Sequence, residues 1–429
     1  MSHPRPARRR AAAGAALAGV LTLPVLLAAP AAAAPQEPVT FSSFNVSMFR
    51  ATEGELAADL ADADDEAQDV EVRNVAEIIQ RQRPDVLLLN EFDYDAGGLA
   101  LERFQENFLA VGQGGAAAID YPYALAFPSN TGIASGYDLD HDGEVGTSGR
   151  DYGDDSFGFG EFPGQYGFVL LSQYPIDTDA VRTFQEFRWA DMPGARLPDD
   201  PGTPEPADWY SAEELEVFRL SSKNHVDVPV EIGGRTVHVL ASHPTPPSFD
   251  GPEDRNGTRN ADEIRFWADY VSPGEQSGYI YDDAGVHGGL RPGEPFVIMG
   301  DLNADPADDG GGVDGAARQV TDHPFVRDPL PASEGAAEAS ALQGGANEAH
   351  AGDPAYDTAD FNDNGVGNLR VDYVLPSRPL RVLDAGVFWP AESDPLSRLT
   401  GTYDRQYTNG FPSSDHRLVW VDVAVPGAR

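Results

Sequence analysis

Seven short apolar runs recur along this chain, and most of them end or begin at an acid, an amide or a histidine. The runs are VTFSSFNV (39–46), DVLLLNE (85–91), YGFVLLSQYPI (166–176), RTVHVLASH (235–243), PFVIMGDLN (295–303), LRVDYVLPS (369–377) and HRLVWVDVAV (416–425). Several are apolar at consecutive positions, so both faces of the strand need cover. Between them lie helical stripes. Val72, Val75, Ala76 and Ile79 recur at i, i+3, i+4 and i+7, with Pro84 past the end. Ile264, Trp267 and Val271 form a second stripe after a Thr258/Asn260 start. Such strands mixed with helices predict sheets covered by helices, a layered α/β domain. Residues 112–165, 191–212, 304–365 and 389–414 read as long loops rich in Gly, Asp, Pro or Ala, and 330–352 reads equally well as solvent-facing decoration.

The N-terminus has a different character. MSHPRPARRR is basic, AAAGAALAGVLTLPVLLAAP is apolar, and AAAA offers small residues for cleavage. Residues 1–34 therefore read as a secretory signal peptide, which predicts an extracellular protein with one domain over 37–427. No second apolar run is long enough to span a bilayer. The formal charge of −41 becomes −45 once the four arginines of the leader are gone. Such acidity works against a long polyanionic partner, and no basic stripe or aromatic–basic groove offsets it. It favours cations. Without cysteines, an exported chain must be held by its core and by metal ions. Nothing in the pattern points to a protein partner.

The polar strand ends form a set. Asn45 stands near the end of the first run, Glu91 ends the second and His243 ends the fourth. Asp301 and Asn303 close the fifth, Asp372 interrupts the sixth, and Asp415-His416 open the last. Each alone reads as a turn residue or rim charge; Asp301 and Asn303 would form an ordinary Asx turn. Together they predict a shared pocket suited to metal-assisted attack of water on phosphorus. Glu91 and Asp415 are the hard oxygen ligands that Mg²⁺ or Mn²⁺ requires. Asp301 orients water and takes its proton, Asn303 steadies the phosphorane, and His416 contacts phosphate with its tautomer set by Asp372. His243 protonates the leaving oxygen or binds phosphate.

The ordered motifs Asn45, NE (90–91), HPTPP (243–247), GDLN (300–303), VDY (371–373) and SDH (414–416) resemble the endonuclease/exonuclease/phosphatase, or DNase I-like, superfamily. The resemblance spans most of the chain after its leader. It implies a four-layer α-β-β-α sandwich with long loop insertions and divalent-metal phosphoesterase activity. By matching motif position it implies metal binding at Glu91, proton abstraction at Asp301, transition-state contact at Asn303, and a phosphate-binding His416 supported by Asp372. His243 resembles the histidine of the nuclease branch. Two positions depart from the pattern. Asn90 stands where Gln is usual, and 165–172 has no carboxylate where DNase I-like nucleases place a Glu beside a His.

Two further features stand out. In GYDLDHDGEVG (136–146), Asp138, Asp140 and Asp142 with Gly143 match the start of a calcium loop. Position 12 is Gly149, so a standard EF-hand is excluded, and Asp151, Asp154 or Asp155 is needed to complete a structural Ca²⁺ site. DFNDNG (360–365) is a weaker match of the same kind. Lys223 is the sole lysine among 29 basic residues. It stands before the strand leading to His243, as a solvated edge charge or as a point contact to substrate phosphate. With Asn45 it completes the expected substrate contacts, and Arg255 and Arg259 lie within reach of a phosphate. The expected protein is a secreted metal-dependent phosphoesterase acting on a small phosphate ester, a lipid headgroup or nucleic acid. The alternatives are an extracellular DNase I-like endonuclease and, in another class, a catalytically inactive calcium-dependent binding module.

Overall fold

The computed structural model describes residues 1–2, 38–61, 69–308 and 312–427, so all but the first two residues of the expected leader lie outside the described residues. Gln36–Arg429 forms one compact unit. Its strands are β1 (Val39–Met48), β2 (Val86–Phe92), β3 (Tyr123–Phe127), β4 (Phe168–Ser172), β5 (Arg182–Thr183), β6 (His225–Ile232) and β7 (Arg235–Ser242). They continue with β8 (Phe296–Asp301), β9 (Ala359–Asp360), β10 (Asn368–Leu369), β11 (Asp372–Pro376), β12 (Arg381–Val387) and β13 (Val419–Ala424). Six make one sheet in the order β12-β13-β1-β2-β4-β3, and five make a second in the order β11-β8-β7-β6-β5. β9 and β10 pair as a short ribbon.

The consecutive apolar residues of β2 show how the layers arise. Val86 and Leu88 enter a core between the two sheets with Val228, Val239, Val297, Val374 and Val421. Leu87 and Leu89 face the other way, against Val72, Val75, Ala76 and Ile79 of the helix Val70–Gln82. That helix starts on Asp69, whose side chain accepts from the Glu71 and Val72 amides, and ends at Arg83 with φ 50. On the far side, Leu240, Ile298 and Leu375 pack with Ala261, Ile264 and Trp267 of the helix Arg255–Tyr270. The result is the expected order of helix, sheet, sheet and helix.

Three expectations are corrected. The run 369–377 is not one strand: it breaks between β10 and β11, because the Arg370 amide leaves the ladder for Asp305 and its guanidinium pairs with Asp328. The loop 112–165 contains β3, an edge strand paired with β4, whose exposed Tyr123 and half-buried alanines hide the pattern. Residues 330–352 are not decoration. They hold the helix Glu334–Gln343, capped by Ser333, and its Ala336 is fully buried in the core between the sheets.

β1 and β2 run parallel, as do β7 and β8. β13 and β11 run antiparallel to β1 and β8. The ends of β1, β2, β7 and β8 and the starts of β11 and β13 therefore share one edge of the two sheets, where α/β proteins bind ligands.

His225, at the start of β6 and opposite Ser242 at the end of β7, is a stability probe in the layer behind that edge. Its Nε2–H donates to the Glu263 carbonyl and its Nδ1 meets the Ser221 hydroxyl. Burial pushes the imidazole down to about 3, against that carbonyl bond. An unfolded histidine takes its proton near pH 6.5, so unfolding draws in a proton below that pH. Stability should fall by about 1.4 kcal/mol per pH unit through this group as pH drops from about 6.5 toward 3. Urea unfolding of His225→Gln should show lower stability at pH 7 but a shallower decline toward pH 4. Identical slopes in variant and wild type would assign the acid sensitivity elsewhere.

Candidate active site

The end of β8 is built around a close approach. Gly300 has φ 147, and a Cβ there would lie 2.0 Å from the Ser242 carbonyl oxygen of β7. Only glycine lets the strands come so near, which brings Asp301 beside His243. Asp301 is 1% exposed. Its Oδ1 accepts the Asn303 amide at 2.8 Å, the Asx turn that the local sequence alone would predict. Its Oδ2 accepts from Asn45 Nδ2 at 3.1 Å and faces Nε2 of His243 at 3.4 Å and Nε2 of His416 at 3.7 Å. Turn and site are thus the same structure. Asn303 and Glu91 are both held left-handed, at φ 51 and φ 56. Non-glycine residues rarely adopt that conformation, and it is concentrated at functional sites.

The electrostatics sort the groups. Burial pushes Glu91 up to about 7, with Asp415 and Asp301 adding and His416 and Asn45 opposing. Burial likewise raises Asp301 to about 6, although His416 holds it down. His416 goes the other way. Burial disfavours its charge, but Asp372 and Asp301 overcome that and carry it well above the usual histidine range. Its Nδ1–H donates to Asp372 Oδ2 at 2.8 Å, and the Thr358 hydroxyl donates to the same oxygen at 2.9 Å. His243 has no such support. Among the described residues its Nδ1 has no hydrogen-bond partner, and burial, Lys223 and His416 push it well below the usual range. The site therefore pairs a histidine whose charged form is favoured with one whose neutral form is favoured.

Glu91, Lys223, His243, Asp301, Asn303, Asp415 and His416 line one cleft of about 1060 Å³. Asp372 lies behind His416. Asn45 is corrected from a substrate contact: it is fully buried behind Asp301, outside the cleft lining, and holds the carboxylate. Lys223 is not an edge charge. It is 7% exposed, and burial lowers its ammonium despite Glu263, Glu91 and Asp301 around it. Arg259 is a structural clamp, with its guanidinium bonded to the carbonyls of Leu220, Phe157 and Arg219, and Arg255 is paired with Glu253.

Glu91, His243 and Asp301 offer one ligand atom each within 4.8 Å of one another, and Asp301, Asp372 and His416 form a second such group. Crowded, buried carboxylates with raised pKa values are what a divalent cation would relieve, so the residues fit a metal. Asp415 stands close enough to raise Glu91 but belongs to neither group; its Oδ1 accepts from Ser47. The acidic loop is also rearranged. Asp138 and Asp140 gather with Asp155, whereas Asp142 accepts the Glu144 amide and stays outside the group. In DFNDNG, Asp360 is engaged by Arg417 and Gln343.

Sequence reasoning missed Glu263, Thr358 and the role of Asn90. Glu263 is fully buried. Its Oε1 accepts from the Ser222 amide and hydroxyl and its Oε2 from the Thr245 amide, so it ties together the segments that carry Lys223 and His243. The available signal was an acid next to the apolar stripe of Ile264, Trp267 and Val271. Asn90 accepts the Asp301 amide at 3.4 Å. Thr358 is 14 residues from Asp372 in an unpatterned loop and left no signal.

The model of the Endonuclease/Exonuclease/phosphatase family matches residues 42–416. No curated protein matches the chain. Among solved structures, an endonuclease/exonuclease/phosphatase from Beutenbergia cavernae is 18% identical, with 91% of this chain and 72% of that one covered at a TM-score of 0.46. A Staphylococcus aureus beta toxin is 15% identical over 89% of this chain and 99% of its own, at 0.42. A Bacteroides thetaiotaomicron mannosyl-6-phosphatase is 12% identical over 90% and 99%, also at 0.42.

Glu263→Gln tests the clamp. An amide has one acceptor oxygen, so its NH₂ must face either the Ser222 or the Thr245 amide, donor against donor. The loss should be about 1–3 kcal/mol in urea unfolding. A variant as stable as wild type would show that Glu263 ties nothing together.

Proposed function

The chain belongs to the endonuclease/exonuclease/phosphatase family, and from that premise we propose that it hydrolyses small phosphate esters by metal-assisted attack of water, with Asp301 as the base. The carrying observation is the Asp301 carboxylate, buried and held by Asn45 and Asn303 with two imidazoles facing its Oδ2. Mg²⁺ or Mn²⁺ bound by Glu91 with neighbouring carboxylate or imidazole groups would offset phosphate charge and organise the site. Asp301 orients the water and takes its proton. Asn303 Nδ2 gives one N–H to the Pro244 carbonyl and keeps the other for the oxygens of the transition state. His416, charged through Asp372, donates Nε2–H to a phosphate oxygen, and His243 contacts the phosphate as a neutral ring.

The net charge of −41 supports a small ester or a lipid headgroup over duplex DNA, because a long polyanion would be repelled. The basic and apolar N-terminal segment supports an extracellular site of action. The test is a substrate panel with Mg²⁺ or Mn²⁺: a phosphomonoester, a phosphodiester, sphingomyelin, RNA and plasmid DNA. Monoesters or headgroups should turn over fastest, and plasmid nicking at physiological salt without monoester hydrolysis would reverse that ranking. Asp301→Asn should lose about 10²–10⁴ in kcat with the fold retained by circular dichroism, whereas near-normal turnover would remove Asp301 as base. In calorimetry Glu91→Gln should weaken metal binding, and unaltered affinity would leave Glu91 a rim acid.

A second cation belongs to this reading. Asp138, Asp140 and Asp155 would bind Ca²⁺ and stabilise the fold by about 2.7 kcal/mol at a hundredfold excess over Kd. Asp140→Ala should abolish a Ca²⁺-dependent rise in melting temperature while turnover persists. No rise in metal-free wild type would sink the site.

A further inference from the structure

Hydrolysis of an ester also needs a proton for the oxygen that leaves phosphorus. His243 is the obvious donor, yet its surroundings argue against it. The ring is 2% exposed and its Nδ1 has no partner among the described residues. β4, FVLLS, brings no carboxylate to it. An imidazole with nothing on its second nitrogen has neither a fixed tautomer nor support for the charged form that gives up a proton.

We propose that Lys223 is the proton donor to the leaving oxygen, an inference that rests on the hydrolase reading above. Lys223 lines the cleft, and among the described residues no hydrogen bond or ion pair engages its ammonium. Burying an unpartnered ammonium is costly, so its place there calls for a ligand. The carboxylate that acts on it most strongly, Glu263, has both oxygens filled by Ser222 and Thr245. The lysine is held near negative charge without being neutralised, and its N–H groups stay available to the cleft. Four arginines on the wall are spent: Arg50 on Asp59 and Asp69, Arg150 on Asp154, Arg255 on Glu253 and Arg259 on carbonyls, while the charge of His416 is fixed by Asp372 for contact with the phosphate. Arg405 is unpaired among the described residues but sits on the exposed rim.

Composition supplies an independent argument. This chain uses arginine at every basic position but one. A guanidinium stays protonated in proteins, so it binds phosphate but gives no proton; an ammonium does both. In the step, a water oxygen bonds to phosphorus as the bond from phosphorus to the leaving oxygen breaks. The water proton passes to Asp301. A proton passes from Lys223 Nζ to the leaving oxygen, which departs as an alcohol, and the amine is reprotonated from solvent.

The test is Lys223→Arg on two monoesters that differ in leaving group, p-nitrophenyl phosphate and a simple alkyl phosphate. A nitrophenolate leaves without a proton, and an alkoxide does not. The variant should keep KM for both and nitrophenyl turnover near wild type, while alkyl kcat falls about 10²–10⁴-fold. Equal losses on both esters would make Lys223 a phosphate contact or a structural residue, and full alkyl activity would make it dispensable; either overturns the proposal. If melting shows that arginine is not accommodated, Lys223→Met, close in volume and uncharged, carries the same comparison. There the proposal requires the alkyl ester to lose far more in kcat than the nitrophenyl ester. If wild type hydrolyses neither ester with Mg²⁺ or Mn²⁺, the hydrolase reading itself falls, an outcome distinct from loss of the Lys223 role.

Discussion

A carboxylate held away from water at the meeting point of two sheets is the constraint on which this structure turns. Asp301 is 1% exposed, and burial alone would drive its proton on. Asn45, the Asn303 amide and the charge on His416 oppose that drive from three different strand ends. Each partner demands something of the backbone. Gly300 lets β8 approach β7, Asn303 takes a left-handed conformation, and β11 must pair in register so that Asp372 lies opposite Asp301.

The site therefore carries charge on both sides of Asp301 in different forms. On the β11–β13 side, Thr358, Asp372 and His416 make a closed chain of hydrogen bonds that fixes a positive charge. On the β6–β7 side the groups are loose: among the described residues nothing bonds Nδ1 of His243 or the ammonium of Lys223. Glu263 organises the backbone around them without satisfying either. A fixed charge suits steady contact with phosphate oxygens, whereas an unclaimed donor suits a group that must give something up.

The polar strand ends were legible because a core strand tolerates acids and amides only where it leaves the core. GDLN, SDH and the lone glutamate after VLLLN announce a pocket, and all of them reach the same cleft except the supporting Asn45 and Asp372. The helix stripe of Val72, Val75, Ala76 and Ile79 was equally legible, because it has one face to bury. The broken run at Arg370, the edge strand β3 and the buried Ala336 were not. Each depends on a partner far along the chain: Asp305 and Asp328 for Arg370, β4 for β3, and the core between the sheets for Ala336.

The sequence by itself determined the layers, the family and the identity of the catalytic candidates. These follow from local periodicity and from short motifs whose residues are neighbours in the chain. Only the tertiary structure decided what state each candidate is in. His243 and His416 are the same side chain at similar burial, yet one is pushed toward the neutral form and the other toward the charged one, because His416 has Asp372 within hydrogen-bond reach while Lys223 and His416 bear on His243. Lys223 reads in sequence as an edge charge or a phosphate contact and stands in the fold as a buried cation open to the cleft. Protonation depends on solvent access and on charges a few ångströms away, and those distances are set by strands that pair across hundreds of residues.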